Sequence, residues 1–165
     1  MTNRRKLLAL GIVGGTTLLA SARAGHATED CTNVVAMGSA LLDKYVAAVN
    51  AHDTSSFPTL FTESYIQHSG RSPSGLAAQI ENFRRILAAM PDVQMRVEDR
   101  IIAGDKIVAR NSWSATHTQT ILGFAPTGKP FTFRTFDIWR VEEGKLAEHW
   151  DITDTEAVLR KLSAS

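Results

Sequence analysis

The spacing of apolar residues changes period at Pro91, and this limits the chain to few architectures. Before it, Met37, Leu41, Leu42, Tyr45, Val46 and Val49 recur every three to five residues, which predicts a helix with one apolar stripe. That helix stops around Asn50-Ala51-His52-Asp53. Thr54 or Ser55 caps a second short helix ending near Phe61, and Ser64–His68 reads as a short strand. Ser74 caps a third helix with the stripe Leu76, Ile80, Phe83, Leu87 and Met90, which Pro91 ends. After Pro91 the period becomes two. Residues 94–103, 106–118, 130–141 and 145–153 are strand candidates separated by turn-forming residues, and a last amphipathic helix spans 154–162. Helices followed by an antiparallel meander predict an α+β fold with helices over one face of a sheet.

The length of 165 residues, with 44% apolar and 21% charged residues, fits one globular domain, and a single cysteine excludes a disulfide framework or a Cys-rich zinc site. The start of the chain has a different character. Met1–Lys6 is cationic, Leu7–Ala20 is free of charge, and Ala22-Arg23-Ala24 and Gly25-His26-Ala27 offer small-residue cleavage sites. This is the layout of an export signal, and its apolar run is too short to span a bilayer. Arg4-Arg5 before Lys6-Leu7-Leu8 resembles a twin-arginine signal. The expected division is therefore a signal over residues 1–27 and one domain over 28–165, periplasmic or secreted. Of 18 Lys and Arg, four fall in residues 1–27, which hold no acid; the remainder carries 14 basic against 17 acidic residues, a net charge of −3. A mildly acidic domain has no electrostatic reason to bind nucleic acid or, once the signal is cleaved, a membrane.

The last hairpin concentrates the chemistry. Glu142-Glu143-Gly144 reads as a three-residue loop closed by Gly144 in the left-handed bulge position. That loop places Asp137 opposite His149, Thr135 opposite Asp151 and Trp139 opposite Ala147. Phe131, Phe133, Thr135, Asp137, Trp139, His149 and Asp151 then share one side of the sheet. A two-residue loop would instead set Asp137 opposite Trp150 and split the group. Two carboxylates and an imidazole among aromatic rings suit general acid/base work near neutral pH; the structural alternative is a buried Asp137–His149 pair with Asp151 capping the last helix. Tyr45 can aim its hydroxyl into the same space. Asn111, Trp113 and His117 share one face of their strand and extend the binding wall, with His68 at its rim. No metal-ligand spacing, phosphate loop or G-x-S-x-G motif occurs, so no cofactor is expected.

Four stretches then resemble the SnoaL-like polyketide cyclases, of the cone-shaped superfamily named after nuclear transport factor two. They are Lys44–Asp53, Tyr65-Ile66-Gln67-His68, residues 122–129, and Asp137–Lys145 continuing into Glu148-His149-Trp150-Asp151. The resemblance implies a strongly curved antiparallel sheet wrapped around N-terminal helices, an apolar pocket and often a homodimer. In those cyclases an aspartate at the position of Asp151 is the acid/base of an aldol ring closure, and a histidine stands where this chain has Asp137. Ketosteroid isomerases resemble it differently, with an oxyanion-binding tyrosine and protonated aspartate at Tyr45 and Asp137 and a base near His68. Together these imply a cofactor-independent enzyme acting on a small hydrophobic carbonyl compound. Asp151 is the expected acid/base, His149 its partner, and Asp137 with Tyr45 the donors to a developing enolate oxygen. Phe136, Ile138, Leu146, Trp150 and Ile152 lie on the opposite face of the hairpin and are expected to form a homodimer through the sheet. A non-catalytic periplasmic binding or structural module of the same fold is the competing expectation.

Overall fold

The computed structural model describes residues 18–70, 72–121 and 124–163, with side chains described from residue 30 and those of 159 and 162 set aside. The cationic start and most of the apolar run of the expected export signal lie outside the described residues. Helix α1 (Leu18–Asn50) begins earlier than its apolar stripe and takes in both expected cleavage positions. It is followed by α2 (Phe57–Leu60), β1 (Phe61–Gln67), α3 (Leu76–Ala89), β2 (Gln94–Ala103), β3 (Lys106–Thr116), β4 (Pro130–Glu142), β5 (Lys145–Thr153) and α4 (Thr155–Ser163). The fold is α+β, as the change of period predicts. The five strands form one sheet in the order β1-β5-β4-β3-β2. That sheet is mixed, not wholly antiparallel, because β1 runs parallel to β5 at its edge. A parallel neighbour requires a long crossover, supplied here by α3 and the meander.

The stripe of α1 is narrower than its spacing implies. Leu41, Leu42, Tyr45, Ala48 and Val49 are buried, whereas Met37 is 65% exposed. The helix ends at His52, whose φ of 56° is left-handed. The amide of Asp53 donates to the Ala48 carbonyl and that of His52 to the Val49 carbonyl, a Schellman closure. Asn50 clasps β2 with its side chain, donating to the Met95 carbonyl at 2.9 Å and accepting from the Met95 amide at 2.7 Å. Neither Thr54 nor Ser55 caps α2; Ser56 precedes it, without a side-chain cap bond. Gly75 precedes α3, and Ser74 Oγ accepts from the Gln67 amide instead.

The β4–β5 hairpin departs from the expected loop in two ways that cancel. Glu143 (φ 50°) and Gly144 (φ 74°) form a two-residue left-handed turn of type I′ geometry, one residue shorter than expected. Glu142 pairs with Lys145 and Val141 with Leu146, but Arg140 pairs with Glu148, so Ala147 is the extra residue of a β-bulge. The bulge restores the side-chain parity that the shorter turn would have inverted. Asp137 therefore faces Asp151, Trp139 faces His149 and Thr135 faces Thr153, replacing the expected partners His149, Ala147 and Asp151. The bulge also turns Leu146 and Ala147 both inward: Leu146 is fully buried and does not belong to the outer apolar face.

Gly144 has open space around its Cα, so a methyl group there meets only backbone strain. Gly144→Ala is expected to cost about 1–2 kcal/mol, the penalty of a left-handed residue with a Cβ. Chemical denaturation checks it, and a variant as stable as the parent contradicts the turn assignment.

Candidate functional site

Bulge and alternation bring the polar residues of β4 and β5 to the floor of a cavity of about 370 Å³. Trp113 of β3, Phe133, Thr135 and Asp137 of β4, and His149, Asp151 and Thr153 of β5 form the sheet side. Tyr45 of α1, Gln79, Asn82, Phe83 and Ile86 of α3, Met90, and Val158 of α4 close the other sides. The volume lies at the small end of ligand-binding cavities.

His149 sits at the centre. Its ring stacks on Trp139 with centroids 4.8 Å apart and planes within 2°. Its Nε2 lies 2.9 Å from Asp137 Oδ1 and its Nδ1 lies 3.0 Å from Gln67 Nε2. The amide of Gln67 is oriented by its other end, where Oε1 accepts from the Ser69 amide at 3.2 Å. Its Nε2 can therefore only donate, which makes Nδ1 of His149 an acceptor and leaves the proton on Nε2, directed at Asp137. Asp151 Oδ1 lies 3.9 Å from Nδ1, beyond hydrogen-bond reach but within the same cavity wall.

Asp137 is held on both oxygens. Oδ1 meets His149, while Oδ2 accepts from Asn111 Nδ2 at 2.7 Å and from the Thr135 hydroxyl. Thr135 can donate because its oxygen already accepts from Trp113 Nε1 at 3.0 Å. This geometry overturns the expectation that Asp137 donates to an enolate oxygen: its oxygens are engaged as acceptors inside the wall. Burial first, then the charge of Asp137, keeps the Tyr45 phenol well above its usual range. Tyr65, beneath the floor, is raised by the same causes. Tyr45 thus presents a neutral hydroxyl group, a donor, to the cavity wall.

Four other expected residues are placed elsewhere. Asn111 is fully buried behind Asp137, to which its amide donates, and does not line the cavity. Trp139 is 1% exposed and lies under His149 as its support, not in the cavity wall. His117 follows the end of β3 and is buried away from this cavity, with Nδ1 on Thr127 Oγ1 at 3.2 Å and its ring edge against Phe131. His68 projects from the outer face of the sheet, stacked on Trp150 at 4.3 Å and bonded to Glu148 at 2.8 Å. On β1 the inward position is Gln67, which shares the parity of buried Tyr65 and pairs with His149 across the parallel edge. Nor does Asp151 cap the last helix, since Asp154 Oδ1 accepts the Ala157 amide at 3.0 Å. Among the described residues no group of three or more His, Cys, Asp or Glu side chains is arranged to hold a metal ion.

A sheet over helices, with an imidazole and two carboxylates at an apolar cavity, defines a cone-fold pocket protein. The family model of the SnoaL-like polyketide cyclases matches residues 39–162, and the chain belongs to that family. Membership supports an enzyme of the cyclase or isomerase type. The structure of TsrD from Streptomyces laurentii is similar, with 28% identity, a TM-score of 0.73, and coverage of 79% of this chain and 97% of that one. AclR from Streptomyces galilaeus, a candidate hydroxylase, has 27% identity and a TM-score of 0.70 over 79% of this chain and 87% of its own. IdmH from Streptomyces antibioticus, a candidate polyketide cyclase, has 25% identity and a TM-score of 0.67 over 76% and 98%. Among curated proteins none matches this chain.

Proposed function

We propose that this chain is an exported, cofactor-independent enzyme that moves protons on a small hydrophobic carbonyl compound, in a ring closure of aldol type or an isomerisation. The observation that carries this reading is the placement of Asp151 and His149 together in the wall of an apolar cavity, with the tautomer of His149 set by Asp137 and Gln67. Asp151 removes a proton from the carbon beside the carbonyl group and returns it later in the cycle. Tyr45 donates to the oxygen on which charge develops. His149, held by Asp137, Gln67 and Trp139, is the neighbour that poises Asp151. Asp137 is a positioning residue in this scheme. Trp113 and Phe133, stacked with centroids 5.8 Å apart, supply flat apolar surface for the substrate.

Mass spectrometry of small molecules released from the purified protein tests the substrate class. A neutral apolar carbonyl compound is the expected finding; a polyanion as the specific occupant contradicts the reading. Export and self-association complete it. The cationic, apolar and small-residue succession of residues 1–27 supports export, and protein from the native host should begin at Gly25 or Thr28. An intact Met1 or Thr2 start contradicts export. Phe136 (57% exposed), Ile138 (40%) and Ile152 (73%) support a homodimer through the outer sheet face, which α4 leaves open because its buried Val158 faces the cavity. A concentration-independent monomer mass in light scattering contradicts the dimer.

A further inference from the structure

Gln79 is a buried polar residue of the cavity that the scheme above does not use. It occupies a stripe position of α3, between Leu76 and Phe83, and is 3% exposed. An apolar side chain at such a position packs without cost, whereas a buried amide needs partners. Yet Gln79 Oε1 is buried and makes no hydrogen bond. Gln67 provides the contrast, because its amide is engaged at both ends, by Ser69 and by His149. Buried polar groups in native proteins are nearly always paired, so an amide in a ligand cavity with an unmet end points to a partner on the ligand. Asn82, one turn further along the same helix face, also lines the cavity, while Phe83, Ile86 and Met90 continue it as apolar wall. The helix thus offers a polar patch followed by an apolar one.

We infer that Gln79 is a specificity-determining residue that selects, among apolar carbonyl compounds, those bearing a hydroxyl group on the part facing α3. The inference rests on the proposed ligand class. A hydroxyl group donates and accepts, so it satisfies whichever end of the amide turns toward it. An unsubstituted apolar ligand leaves that end unmet, as it is in the free protein, whereas a hydroxyl group within reach satisfies it, and this gain discriminates between the two. The reacting groups on the sheet are indifferent to this choice, so selection by α3 and proton transfer at β5 are separable.

Calorimetric titration with indanone and its ring-hydroxylated isomers tests the inference. The parent protein is expected to bind at least one hydroxylated isomer about tenfold or more tightly than indanone, the range for leaving a buried polar group unmet. Gln79→Leu is expected to lose that preference, to bind indanone at least as tightly as the parent does, and to melt no lower. Gln79→Met is a second apolar replacement should Leu disturb packing. Equal binding of all compounds by the parent, or a preference that survives both substitutions, overturns the role of Gln79 and leaves the ligand class standing. Failure of the parent to bind any of these ketones overturns the ligand class and the inference with it.

Discussion

Asp151→Asn is expected to fold as the parent does and to lose roughly 10²–10⁴-fold in rate, the usual share of a general acid or base. The substitution keeps size and most hydrogen bonding and removes only the proton acceptor. The structure strengthens this expectation by removing the competing explanation. Asp154, not Asp151, caps α4, so a change at residue 151 has no helix terminus to disturb. Asp151 stands directly opposite Asp137, with His149 two residues away on the same face of β5. Two carboxylates so placed repel each other unless donors lie on one of them. Asp137 has those donors in His149, Asn111 and Thr135, so its charge is absorbed within the wall. Steady-state turnover of a ketone substrate, with circular dichroism as the folding control, checks the expectation. Unchanged turnover in a folded variant would take Asp151 out of the chemistry and favour a binding module.

Trp139→Ala carries the largest expected effect on stability. The indole is almost wholly buried, with its face against His149 and its ring centroid 5.7 Å from that of Tyr45. Removing a buried aromatic side chain of this size costs about 3–5 kcal/mol through lost transfer energy and the cavity left behind. In a chain of this length that corresponds to a fall of roughly 9–15 °C in melting temperature. Activity should fall further than stability alone explains, because His149 loses the plane against which it is held. Differential scanning calorimetry checks the first part; a loss below about 1 kcal/mol would mean that the site collapses around the gap, contrary to the packing described.

How the site was legible follows from the hairpin. Alternation along 145–153 puts His149 and Asp151 on one face, but joining Asp137 to them depends on the loop. The expected three-residue loop has the right parity only because the two-residue turn and the bulge together have the same effect. The register was not legible. Turn length and bulge position depend on backbone conformations at Glu143, Gly144 and Ala147 that many sequences tolerate, and here a short turn and a bulge compensate each other. Gln67 shares parity with Tyr65, but nothing in the alternation of β1 sets it apart as a partner of His149. Its role depends on the parallel pairing of β1 with β5, a long-range contact that leaves no local pattern. The Asn50–Asp53 segment, by contrast, turns out to be structural: Asn50 clasps β2, and the His52 ring bonds the Val93 carbonyl at 2.7 Å.

Proton abstraction beside a carbonyl group can be observed without knowing the natural substrate. Proton magnetic resonance of a small apolar ketone such as indanone, incubated with the protein in deuterium oxide, follows exchange at the carbon next to the carbonyl. The proposed function predicts exchange well above the buffer rate with the parent protein and a return toward the buffer rate with Asp151→Asn. Binding of the ketone with no acceleration of exchange by the parent would contradict it.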